Sequence, residues 1–204
     1  MRAVQDDFER INRALSTPRD PLSDRVLGQI LAGYRQVDAW LEQGLDPFAL
    51  GQSQQLLRLN ALVLWGEAEP ASAEARHQLE ATEEQFYAIG DGGIGELVSC
   101  YQLLEQQSIW QGAARVYIQI LSQPQLYLEG NHRSGALVMS YLLARAGKPP
   151  FVLSVNNAKA YFDPSTLVKN SRKHSLRMLL ERRKLVRRFA DLLRESANQE
   201  HLLR

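Results

Sequence analysis

The sequence predicts an all-α fold, on three observations. Apolar residues recur about every 3.6 positions along most of the chain. No segment alternates apolar and polar residues long enough to make a half-buried sheet. Glycine and proline gather in short stretches that cut the chain into helix-sized pieces.

Taken in order, the first helix is expected over residues 3–15. Pro18 and Pro21 end it, and Ser23 is placed to cap the next. That helix covers 24–43, with Val26, Ile30, Tyr34, Val37 and Leu41 on its apolar side, and Gly44 closes it. A helix over 52–65 follows, with Leu56, Leu57, Leu59, Leu62 and Val63. The helix over 71–88 is strongly polar. Residues 88–95 carry glycines at 90, 92, 93 and 95, a density that means turns or bulges. Helices are expected at 95–106 and at 109–123, the second capped by Ser108. Pro124 and Gly130 keep 123–131 irregular. A helix then starts near His132 and stops at Gly147, before Pro149 and Pro150. Residues 151–155 suit a short strand or an extended link. A short helix at 156–162 is expected to end at Asp163–Pro164, and a long one covers 172–198.

Composition narrows the class. The chain has 204 residues, 45% hydrophobic and 23% charged, enough to bury a core without staples. Cys100 is the single cysteine, so no internal disulfide forms, which suits a reducing compartment. The first residues lack the pattern of a secretory signal, and no apolar run is long enough for a membrane span. A cytoplasmic protein is expected. The net charge of +1 is uneven: residues 168–204 carry eleven Lys/Arg against four Asp/Glu, so +7, which leaves −6 for the rest.

Residues 125–133, Gln-Leu-Tyr-Leu-Glu-Gly-Asn-His-Arg, carry the most chemistry. They join one helix to the start of another, where the first N–H groups lack internal partners and the helix dipole is positive. Such a place accepts phosphate. Gly130 leaves room for close approach to the backbone. Asn131 offers an amide donor, and Arg133 a forked contact to phosphate oxygens. Glu129 beside a phosphate calls for a cation between them, and magnesium takes one or two carboxylates plus phosphate oxygens.

This segment resembles the active-site motif of the Fic/Doc (Fido) proteins, His-x-Phe-x-Asp/Glu-Gly/Ala-Asn-Gly/Lys-Arg. Residues 110–121 are similar to the alanine-rich helix before that motif, and residues 134–147 to the helix after it. Residues 92–106 are similar to the region that joins the family's flap, a small β-hairpin, to its next helix, which would put the glycine-rich stretch 88–95 near the flap. The resemblance covers about 90–165 and implies a Fic-like helical bundle around a helix–loop–helix motif. It divides the chain into an N-terminal helical region over 1–87, a core over 88–167 and a basic extension over 168–204.

The resemblance implies binding of ATP or another nucleotide with Mg, and transfer of AMP or phosphate to a Tyr, Ser or Thr hydroxyl of a protein target, sometimes under a regulatory partner. Carried over, Glu129 would hold the metal, and Gly130, Asn131, His132 and Arg133 would surround the phosphates. Tyr127 would replace the buried Phe that anchors the loop. Two departures matter. The family's catalytic His is Gln125 here, an amide without useful basicity. The outer arginine of AMP-transferring members is Ala136. Gln125 would then orient a hydroxyl rather than deprotonate it. The alternative is a catalytically silent nucleotide- or phosphate-binding or protein-interaction module. His132 reads as a solvated histidine at a helix start, or as a displaced base or phosphate donor. Ser196 and Glu200 are the nearest match to the family's inhibitory helix, without its last residue.

The remaining candidates read as structure. His77, His174 and His201 lie among polar residues, and Cys100 reads as a small buried apolar residue. In the last helix, Leu176, Leu179, Leu180, Val186, Phe189 and Leu193 read as one stripe packed on the domain, with the basic side in water. Contact of that basic side with an acidic partner, nucleic acid or a membrane surface is the sharper reading. Nucleic acid is not expected, since no aromatic interleaving accompanies the charge.

Overall fold

The structure is a computed structural model that describes residues 2–90, 92–103 and 108–202. Ten helices follow one another: α1 (Arg2–Asp6), α2 (Phe8–Ala14), α3 (Asp24–Glu42), α4 (Gln54–Trp65), α5 (Ala73–Phe86), α6 (Ile94–Gln102), α7 (Ile109–Leu121), α8 (Asn131–Arg145), α9 (Ala158–Lys169) and α10 (Leu176–Glu195). No strand occurs among the described residues, and one isolated parallel bridge joins Gln123 to Arg172. The all-α expectation holds.

Local chemistry sets the helix ends. Ser23, Ser72, Ser108 and Ser175 each accept a hydrogen bond from the backbone N–H three residues on, which starts α3, α5, α7 and α10. Gly66, left-handed at φ 87°, ends α4.

The centre of the molecule is α7 against α8. From Gly112 to Leu121, α7 is buried on nearly every side, which leaves Val116, Tyr117, Ile118 and Ile120 facing different neighbours. Gly135 lets α8 come close: a Cβ there would stand 2.9 Å from the Tyr117 ring. Helices α3 and α4 pack on α8, while α6, α9 and α10 pack on α7. One apolar cluster runs from Val37 of α3 to Leu193 of α10. A smaller cluster of Val4, Ile11, Leu15 and Ala158 seats α1 and α2 on α9. The apolar core therefore crosses residue 87 without a break, and the boundary expected at 167/168 falls inside α9.

Several expectations are corrected. The first helix is two, parted at Asp7. Of the two readings of 151–155, the link holds over 151–154 and the strand does not. In place of a flap hairpin, the described part of 88–95 is turn and the start of α6. The expected end of the 95–106 helix lies partly outside the described residues, and the described helix closes at Gln102.

Helix α9 continues through Pro164 to Lys169. Proline forfeits the bond to the carbonyl of residue 160, but Ala160 is exposed, so water can satisfy that oxygen. Ser165 and Thr166 return hydroxyl bonds to Tyr161 O and Phe162 O, at 2.6 and 3.0 Å.

In α10 the expected stripe splits in two. Val186, Phe189 and Leu193 are buried, but Leu176, Leu179 and Leu180 are exposed. The step from 176 to 189 turns about 220° round a helix, which puts Leu176 and Leu180 well away from Phe189, while Leu179 lies on the line of Val186 and is exposed in the first turn. No helix among the described residues is long and apolar enough to cross a membrane.

Candidate anion site at the start of helix α8

Residues 122–130 leave the end of α7 and deliver the chain to α8. Tyr127 pins this loop. Its ring is fully buried, stacked on Phe86 at 5.8 Å, and its hydroxyl donates to Leu56 O at 3.1 Å. This is the anchor that the sequence placed there. Leu126 is buried beside it, its N–H bonded to Ile120 O. From α5, Gln85 donates to Gln125 O at 2.6 Å. From α4, the buried Asn60 donates to Glu129 O at 2.9 Å and to Ser134 Oγ at 3.0 Å. Gly130 has φ 75°, and a Cβ on it would stand 2.8 Å from Asn60 Nδ2. Both facts demand glycine.

Asn131, the first residue of α8, folds its amide back on the loop. Its Oδ1 accepts from Tyr127 N at 3.0 Å, and its Nδ2 donates to Tyr127 O at 2.7 Å and to Gln125 Oε1 at 3.5 Å. The side chain is buried, so it shapes the cradle rather than reaching out of it. Gln125 is also committed: its Nε2 donates to Leu121 O, capping α7.

Arg133 turns toward α4. Its Nη1 donates to Val63 O, and to Gln29 Oε1 at 3.3 Å, while Gln29 Nε2 donates to Leu64 O at 2.7 Å. Arg133 and Gln29 thereby cap the carbonyl end of α4, where a cation is favoured by the dipole. Burial, with Arg25 nearby, holds the guanidinium below its ordinary proton affinity, and Glu129 offsets part of this. Arg133 is also among the residues that line the cleft at the α8 start.

His132 is not the solvated residue that the sequence suggested. Burial, then the charges of Arg19 and Lys169, push its pKa down to about 3. Its tautomer follows from a chain of hydrogen bonds. The carbonyl Tyr161 O must accept, so Ser165 Oγ donates to it. Ser165 Oγ then accepts from Tyr117 Oη at 2.8 Å, and Tyr117 Oη accepts from His132 Nδ1 at 3.2 Å. The proton therefore sits on Nδ1. Nε2 keeps a lone pair that is buried and without a hydrogen-bond partner among the described residues. A ring with so low a pKa is no base at neutral pH.

The loop opens on a polar cleft of about 400 Å³ lined by Gln125, residues 128–133, Asp20 and Lys169. The N–H groups of Asn131, His132 and Arg133 make no hydrogen bond among the described residues; the ladder begins with Ser134 N to Gly130 O. Lys169, Arg133, Arg25 and Arg19 bring positive charge to this end of α8. Glu129 is exposed at the cleft, and neither it nor Asp20 makes an ion pair among the described residues. Two unpaired hard-oxygen donors suit magnesium held jointly with phosphate. No group of three or more His, Cys, Asp or Glu that would bind a metal alone occurs among the described residues. Asp20, Asn60, Gln85 and Lys169 had no signal in the sequence, because each reaches the site from a distant helix or link.

Compared with protein-family models, curated proteins and solved structures, the chain finds no match. The Fic/Doc resemblance thus rests on the loop and its two flanking helices.

Other candidates lie elsewhere. Cys100 is buried, and burial raises its thiol pKa. His174 meets Glu96 at 2.9 Å. Glu200 sits in a 3-10 turn with its N–H bonded to Asn198, and it is not among the residues lining the cleft.

Replacing Arg133 with alanine should destabilise the ligand-free protein by about 1–3 kcal/mol in urea unfolding, since Val63 O loses its cationic cap. An unchanged stability would show that the arginine has no structural duty. His132 has its proton affinity lowered on folding, so below about pH 6.5 the unfolded chain takes up a proton that the folded one refuses. Stability is therefore full above that pH and falls towards pH 3. Between neutral pH and about pH 4.5, His132→Gln should lose less stability than wild type. Equal losses in the two proteins would mean that the imidazole is in water.

Proposed function

We propose that the chain is a degenerate Fic-type protein that binds a phosphate-bearing ligand, a nucleotide with magnesium, at the start of α8. It holds that ligand without transferring part of it. The observation that carries this reading is the set of three unbonded N–H groups at residues 131–133, opening on a cleft with Lys169 and Arg133. Backbone amides and the helix dipole attract an anion, and two cations add to them. Glu129 would hold magnesium, and Asp20 is the second carboxylate within the cleft. Gly130 supplies the left-handed turn that delivers the chain to α8, packed close against Asn60 and Leu64. Asn131 fixes the cradle from behind.

The silent reading is preferred over transfer to a protein hydroxyl because the cleft lacks a histidine base. Gln125 has an amide whose two ends are both bonded, and His132 is neutral with its lone pair buried. Loss of a general base costs about 10²–10⁴ in rate. The protein would then act through a partner that senses the loaded state. One buried cysteine and the absence of a spanning helix among the described residues suit a cytoplasmic setting.

ATP with magnesium should raise the melting temperature. Ligand at about a hundred times its Kd adds roughly 2.7 kcal/mol, several degrees for a chain this long. Lys169→Glu should remove most of the rise while leaving the ligand-free melting point in place. Labelled ATP should leave no label on the protein or on added proteins. A flat melting point up to millimolar nucleotide would overturn binding, and label transfer by the wild type would overturn the silent reading.

A further inference from the structure

Helix α10 has two apolar sides, and one of them is exposed. The inner side, with Met178, Leu185, Phe189 and Leu193, is buried in the core. The outer side begins with Leu176 and Leu180, 79% and 83% exposed, and Leu179 beside them is 57% exposed. Positions 176, 180, 183 and 187 share one face at helical spacing. That face therefore passes from two leucines to Arg183 and Arg187, both exposed, with Lys184 and Arg188 at its margin. The nearest carboxylates on the helix are already answered: Glu181 pairs with Arg177 and Asp191 with Arg194, each at 3.5 Å.

We propose that this outer face docks on an anionic lipid surface. Leu176, Leu179 and Leu180 enter the headgroup region, and Arg183 and Arg187 meet the phosphates and carboxylates of the lipids. Charge complementarity selects the partner. The last 37 residues carry +7 and the rest of the chain −6, so the segment that holds α10 concentrates positive charge suited to an anionic plane. Shape selects lipid over a folded partner. The leucines stand out from a convex helix, and a protein would have to bring a groove to fit them. A lipid interface yields to protruding leucines and places anions at the level of neighbouring cations. The inner side already holds α10 in the core, so docking orders no new helix. Attachment is peripheral, since no helix among the described residues can span a bilayer.

The test is flotation of the full chain with phosphatidylcholine vesicles, with and without phosphatidylserine, at low and high salt. The wild type should float only with the anionic vesicles and should be released by salt. Leu176→Ser/Leu180→Ser and Arg183→Glu/Arg187→Glu should each weaken binding by more than about tenfold, with unchanged melting points because all four side chains are exposed. Absence of flotation, equal binding to neutral vesicles, or full binding by the leucine variant would each overturn the proposal. A dimer in sedimentation that the leucine variant dissolves would overturn it too, and would assign the face to a second copy of the chain.

Discussion

The amide of Asn131 closing on both backbone groups of Tyr127 is the constraint on which the site depends. It joins the first residue of α8 to the residue that anchors the loop in the core. The loop cannot move away from α8 without exposing the peptide groups of Tyr127, whose ring is buried between Phe86 and the α4 backbone. A buried peptide group without a partner costs about 1–3 kcal/mol. Because the clamp uses the side chain of Asn131, the backbone N–H groups of α8 are left for something else. An anion seat made this way needs no flexible side chain to be ordered on binding, which lowers the cost of capture.

The same economy makes structure and site share residues. Arg133 caps α4 through its guanidinium and is also one of the residues lining the cleft. Gln125 caps α7 and touches Asn131. His132 spends Nδ1 on a relay of hydroxyls that ends at Tyr161 O, which locks α7, α8 and α9 together. Where a transferase of the resembled kind would need a mobile, basic side chain, Gln125 and His132 are bonded and neutral. On the proposed reading, binding and chemistry would part company: the positive charge is present at the α8 start, and a histidine base is not.

How much of this was legible follows from distance along the chain. The start of α8, the left-handed Gly130 and the anchoring Tyr127 lie within a few residues, where turn chemistry and helix caps leave local signs. Asn60, Gln85, Asp20 and Lys169 come from other elements, and nothing in their own surroundings marks them. His132 was misread because its neighbour Arg133 is charged; only the packing of α7 and α9 shows that the ring goes inward. In α10, a list of apolar positions concealed two faces, since Leu176 and Leu180 lie well away from Phe189 round the helix. Pro164 was read as a stop, but it falls inside α9, four residues after an exposed alanine.

A titration of the amide-resolved NMR spectrum with inorganic phosphate, and then with ATP and magnesium, tests the central claim most directly. The account predicts that the largest shifts fall on the backbone N–H signals of Asn131, His132 and Arg133. Motionless signals at those three residues, with shifts centred on another helix, would contradict it.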